Sequence, residues 1–130
     1  MPTPEQIEVA GSLARLAAID LATAEKLAPD PEMDDRPVGF HAQQAVEKAV
    51  KVALMLQSVD FPKTHDLEYL IVLAEKHSIA MEPELESASW LTPWAEEFRY
   101  DDAPIEMLDR KRAIAVANAA VSWCRELLQA

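Results

Sequence analysis

Between Gly39 and Pro62 the chain runs on without another glycine or proline, and the intervening FHAQQAVEKAVKVALMLQSVDF is dominated by Ala, Val, Leu, Gln, Glu and Lys. Those residues lose little on entering a helix, so the stretch predicts one long helix over Val38 to Ser58. At 100° per residue, Val38, Ala42, Ala45, Val46, Ala49, Val50, Val52, Ala53 and Leu56 share one broad arc. His41, Gln44, Glu47, Lys48 and Lys51 share the remaining third. A surface helix carries a narrower apolar stripe. One that is apolar over more than half its circumference must touch neighbours on two sides, so it should lie at the centre of the fold.

What surrounds this helix is bounded by composition. The 130 residues fit a single domain, 1–130, large enough to bury a core without disulfide or metal staples. Half of them are hydrophobic and 27% are charged, which is globular rather than disordered composition. A net charge of −11 repels polyanions at long range and argues against a nonspecific nucleic-acid coat, while leaving room for a local basic pocket. The lone Cys124 has no partner for an intramolecular disulfide or a thiolate cage. The start MPTPEQIEVAG lacks a basic region followed by an apolar core, and no apolar run is long enough to span a bilayer. The expectation is a cytoplasmic chain without a membrane segment.

Along the chain, Thr3 as N-cap, Pro4 at the first helical position and Gln6 three residues after the cap predict a helix from Thr3 to about Leu27. Its buried stripe would be Ile7, Ala10, Leu13, Ala14, Ala17, Leu21 and Ala24. APDPEMDDRP breaks it, and Arg36, which precedes Pro37, should sit at the cap of the central helix. After a turn at Val59–Lys63, Thr64 reads as N-cap of a helix to about His77, packed antiparallel on the central one through Leu67, Leu70, Ile71 and Ala74. Segment 83–98 carries Leu85, Trp90, Leu91, Trp94 and Phe98, but Pro93 should kink or split it. RYDDAP is a loop, and a last helix should run from Glu106 to Leu128. With no alternating strand pattern and no fixed-period repeat, the economical fold is all-α, an antiparallel up-and-down bundle of four to five helices.

Three groups of polar residues are candidates for chemistry. Gln44, Lys48 and Lys51 lie in one row at offsets of four and seven, where two cations and an amide suit a phosphate and a base edge. The same row also reads as a solvated face with Glu47 paired to Lys51, or as a subunit interface. Gln43, nearer the apolar boundary, suits a hydrogen bond to a neighbouring helix. His65 and Asp66 flank the Thr64 cap, where Asp66 complements the helix dipole and His65 can bond a backbone carbonyl. They read either as capping or as part of a pocket shared with the central helix. Arg99 and Tyr100 follow Trp90, Trp94 and Phe98, and either anchor the core or stack on a base. His77 reads as a surface residue near a helix end. The three histidines lack ligand spacing, so neither a metal nor another cofactor is expected.

FHAQQAVEKAVKVAL on the central helix, PKTHDLEYL at the start of the next and EEFRYDD before the last occur in an order and spacing that resemble the HEPN family, in its FHAQQ and THDL branch. The resemblance covers most of the chain. It implies a helical bundle that usually dimerises. Known members are ribonucleases of prokaryotic toxin–antitoxin and defence systems, partners of minimal nucleotidyltransferases, and domains proposed to bind nucleotides. The ribonucleases carry Arg, four to six residues, then His, often with Tyr two positions later. Arg36 and His41 satisfy that spacing. Gln43 stands where the Tyr would be, and the pair opens the central helix instead of lying near the last one. Arg110 and Arg112 have no His downstream at that distance. The expectation is therefore a binding module for a nucleotide or small nucleic-acid element, homodimeric and working with a nucleotidyltransferase-type partner. The alternatives are a ribonuclease toxin acting through Arg36 and His41, and a purely structural dimerisation module.

Overall fold

The computed structural model describes residues 1–95 and 107–130. Among them, helix is the only regular structure: α1 (Pro4–Leu27), α2 (Asp35–Leu56), α3 (Leu67–Lys76), α4 (Pro83–Glu86), a 3₁₀ helix (Ala88–Trp94) and α5 (Arg110–Gln129). They form an antiparallel up-and-down bundle. The helix predicted to be central is so, since α2 packs against α1, α3, α5 and the 3₁₀ helix.

α1 begins as its sequence requires. Gln6 N donates to Thr3 Oγ1 at 3.1 Å while Thr3 N donates to Gln6 Oε1 at 2.8 Å, a reciprocal capping box ahead of Pro4. Ala10, Ala14, Ala17, Leu21 and Ala24 are buried against the alanines and valines of α2, and short side chains on both faces let the two helices come close. Ile7, expected in that stripe, is instead 46% exposed.

α2 starts a turn earlier than the sequence reading placed it. Asp34 is the N-cap, accepting from Arg36 N at 2.8 Å, so Arg36 and Pro37 lie inside the first turn rather than at the cap. Proline is tolerated there because its missing N–H would have had no intrahelical acceptor. The helix stops at Leu56. Ser58 turns the chain with φ 56°, and Val59 N returns to Leu54 O at 2.9 Å. Helix α3 ends the same way on Ser78, φ 58°, with Ile79 N on Ala74 O at 3.0 Å. Both closures follow the αL pattern usually given to glycine.

Three further boundaries differ from the sequence reading. α3 is capped by Asp66, which accepts from Tyr69 N at 3.2 Å, whereas Thr64 Oγ1 accepts from Asp66 N at 3.1 Å and so shapes the turn before the cap. In the described part of segment 83–98 the expected split falls ahead of the proline that was to cause it: α4 closes after Glu86, and Pro93 is accommodated in the tighter 3₁₀ helix. α5 begins at Arg110 behind Asp109, which accepts from Arg112 N at 3.1 Å; the predicted start, Glu106, lies outside the described residues. Trp94 closes the core over α2, its ring lying 2.7 Å from where a Cβ on Gly39 would stand.

Candidate functional site

The polar third of α2 is not a solvated face. Gln43 is fully buried, Glu47 is 3% exposed and Gln44 8% exposed, while Lys48 and Lys51 reach out from beneath their neighbours. Burying this many polar groups is tolerable only if each finds a partner, and here they do so in one connected strip.

At one end of the strip, Asp20 projects from α1. Its Oδ1 lies 2.9 Å from His41 Nδ1, and its Oδ2 accepts from Lys48 Nζ. Lys48 Nζ also reaches Gln44 Oε1 at 3.4 Å, and Gln44 Nε2 donates to Gln43 Oε1 at 2.7 Å. Gln43 Nε2 then donates to Glu47 Oε1 at 3.1 Å and to the carbonyl of His65 at 3.2 Å. At the far end, Glu47 Oε1 lies 2.8 Å from His65 Nδ1, and Glu47 Oε2 accepts from Lys51 Nζ at 3.1 Å. Lys51 Nζ stands 5.8 Å above the Phe61 ring. Each carboxylate thus holds one imidazole and one ammonium, and the two Gln amides join the halves. An ionised carboxylate only accepts, so both histidines donate from Nδ1 and keep Nε2 for another partner. Asp20 and Glu47 offset Lys48 and Lys51, so with neutral imidazoles the strip is electrically balanced within a strongly acidic chain.

Of the residues singled out from sequence, the fold therefore gathers His41, Gln44, Lys48, Lys51 and His65 into one strip. Gln43 is central to it, bonding Glu47, Gln44 and the α2–α3 turn rather than a helix face alone. His65 bonds through its ring to Glu47; its backbone carbonyl serves as an acceptor for Gln43. Asp66 does not join: it is exposed and engaged as the α3 cap. Arg99 and Tyr100 lie outside the described residues. Arg36 turns toward the cap, its Nε and Nη2 on the two oxygens of Asp34 at 2.9 and 2.8 Å. That guanidinium holds the Asp34 carboxyl down at about 2 from its ordinary 3.8. Arg36 and His41 are thus each engaged with a different carboxylate.

Asp20 was missed by sequence reasoning. Its signal was present: it follows Ala17 by three residues and precedes Leu21 and Ala24, a carboxylate on the edge of a stripe that must be buried. Glu47 was placed in the polar third, but its depth depends on the α2–α3 turn folding over it. Cys124, deep in α5, is no nucleophile, because burial pushes its thiol up to about 11. Among the described residues no group of three His, Cys, Asp or Glu side chains is placed to hold a metal ion, and no helix is long and apolar enough to cross a membrane.

No curated protein and no solved structure matches the chain. The family model described as HEPN domain matches residues 10–127, which takes in the strip, the helix that carries it and both histidines, and by that match the chain belongs to the HEPN domain family.

Proposed function

We propose that this HEPN domain is a binding module that recognises a nucleotide or a short nucleic-acid element and acts with a separately encoded partner of the nucleotidyltransferase type, as a homodimer. The observation that carries the reading is the strip on α2. Buried ion pairs are poor stabilisers, because desolvation offsets much of their attraction, so folding alone gives little reason to assemble two of them around a pair of amides. Recognition gives one. Lys48 and Lys51 keep 20% and 15% of their side-chain surface in water while Asp20 and Glu47 hold them in place, so their donors are positioned before a phosphate arrives. Gln44, one turn before Lys48, supplies the amide that this reading assigns to a base edge.

Isothermal calorimetry with mono-, di- and triphosphate nucleotides tests this. Each lysine would make a charge-assisted phosphate contact of roughly 1.5–3 kcal/mol, so Lys48→Ala or Lys51→Ala alone should weaken binding by about one to two orders of magnitude. Unchanged affinity in both variants would remove the strip as the ligand site.

A second reading, the ribonuclease toxin, is favoured by one observation: Asp20 fixes the His41 ring through Nδ1 and leaves Nε2 for proton transfer. Arg36, the charge-stabilising partner this chemistry calls for, is turned to Asp34. Cleavage of single-stranded and structured RNA in chelator should therefore be negligible in the wild type. Robust cleavage that falls by about 10² or more in His41→Ala, without loss of folding, would make this reading the leading one.

A further inference from the structure

At the opposite end of α2 from His41, the start of α1 and the α2–α3 turn enclose a groove of about 520 Å³. Its volume is within the range of roughly 300–1,000 Å³ that ligand sites occupy. Val9, Met55, Val59 and Phe61 make an apolar floor, Thr3 and Gln6 contribute the polar wall, and Glu5 and Asp60 stand on the rim. Val9 is 49% exposed.

Charge decides what such a groove accepts. Glu5 and Asp60 are exposed, and neither makes an ion pair among the described residues. The two helix ends that meet there add little net field, since the positive end of α1 faces the negative end of α2. Part of each end is already engaged, by the Thr3–Gln6 box on one side and by the returns of Gln57, Ser58 and Val59 to Leu54 and Met55 on the other. No basic residue occupies the last turn of α2. Beside the apolar residues stand the exposed carboxylates of Glu5 and Asp60, without an ion pair among the described residues, while the Lys51 ammonium over the Phe61 ring is already offset by Glu47. An anionic or nucleotide ligand is disfavoured by this arrangement.

We propose that the groove docks a basic amphipathic segment of a partner protein, with an apolar side chain on Val9, Met55 and Phe61 and a flanking lysine or arginine between Glu5 and Asp60. This surface does not depend on the α2 strip binding a ligand. The apolar contact supplies attraction and the carboxylates select the sign of the partner's charge.

The probe is an acetylated, amidated peptide of Leu-Leu-Lys-Lys repeats, titrated into ¹⁵N-labelled protein beside two matched peptides carrying Glu or Gln in place of Lys. The lysine peptide should shift the amides of Val9, Met55, Val59 and Phe61, the glutamine peptide should bind more weakly, and the glutamate peptide should not bind. The pair Glu5→Gln with Asp60→Asn should weaken the lysine peptide about three- to tenfold at 0.15 M salt, as expected for two exposed charge contacts. Glu75→Gln with Glu86→Gln removes the same charge away from the groove and should leave affinity unchanged. Equal weakening by the two double variants would mean attraction by net charge alone and overturn the proposal, as would shifts confined to other helices or equal binding of the glutamine peptide. Lys48→Ala serves as a further control: retained peptide binding in that variant separates this surface from the strip.

Discussion

Gly39 lies in the first turns of α2, where glycine is ordinarily a weakness, and the reason for it is in the packing. A Cβ at that position would stand 2.7–2.8 Å from Cγ, Cδ2 and Cε3 of Trp94, atoms near the root of a ring that the core holds in place. Substitution with alanine would gain up to about 1 kcal/mol of helix propensity. It would lose roughly 1–3 kcal/mol by forcing the indole and the 3₁₀ helix outward. Gly39→Ala should therefore lower stability in urea, with quenching or shift of Trp fluorescence as the ring moves. A stabilised variant with an unchanged Trp signal would mean that the ring yields at no cost. The same close approach explains why the FHAQQ stretch is preceded by the smallest residue while everything after it favours helix.

Between elements, the stitch that matters is Arg110. Its Nε donates to Asp35 Oδ1 at 2.7 Å and its Nη1 to the carbonyls of Ala28 and Asp30 at 2.9 Å each, while Nη2 reaches the carbonyl of Met33. Leu108 N closes the other side of Asp35 at 3.0 Å. One guanidinium thus ties the start of α5 to the start of α2 and satisfies the carbonyls of a connection that has no regular structure of its own. Arg110→Ala would strip these acceptors at once, and hydrogen bonds involving a charged group contribute roughly 1.5–3 kcal/mol. A lowered urea midpoint is expected, together with faster amide exchange over residues 28–35 and little change in α3. Arg110→Lys should recover only part of the loss, because an ammonium cannot reproduce the planar fork.

For the whole molecule, the exposed apolar surface does not lie at the tryptophans. Trp94 is buried, Trp90 is part-buried under the Arg112 guanidinium at 4.4 Å, and Trp123 donates from Nε1 to Ala80 O at 3.2 Å. The exposed apolar residues of α1 include Leu16 and Ile19, 48% and 61% exposed, which form a stripe apart from the groove. A symmetric homodimer would cover this stripe. Light scattering at micromolar concentration should return twice the chain mass, falling to a single chain in Leu16→Glu. A monomeric wild type would remove the dimer from the proposed function.

The helices were legible from sequence wherever the signal is local. The Thr3 capping box and the glycine- and proline-free run from Phe40 to Leu56 act through neighbours a few residues away, and there the reading and the fold agree. Boundaries slipped where two local signals compete: Asp34 rather than Arg36 caps α2, and Asp66 rather than Thr64 caps α3, because which of several adjacent oxygens takes the free N–H groups depends on how the turn is folded. By itself, the sequence determined an all-α bundle centred on α2 and a polar row of Gln44, Lys48 and Lys51 on that helix, since both follow from a 3.6-residue period. Only the tertiary structure decided that the row is sheltered, that Asp20 of α1 and the His65 turn close over it, and that Lys48 as well as Lys51 is held by a carboxylate. A carboxylate 28 residues from its ammonium leaves no periodic trace, so that pairing exists only once α1 lies against α2.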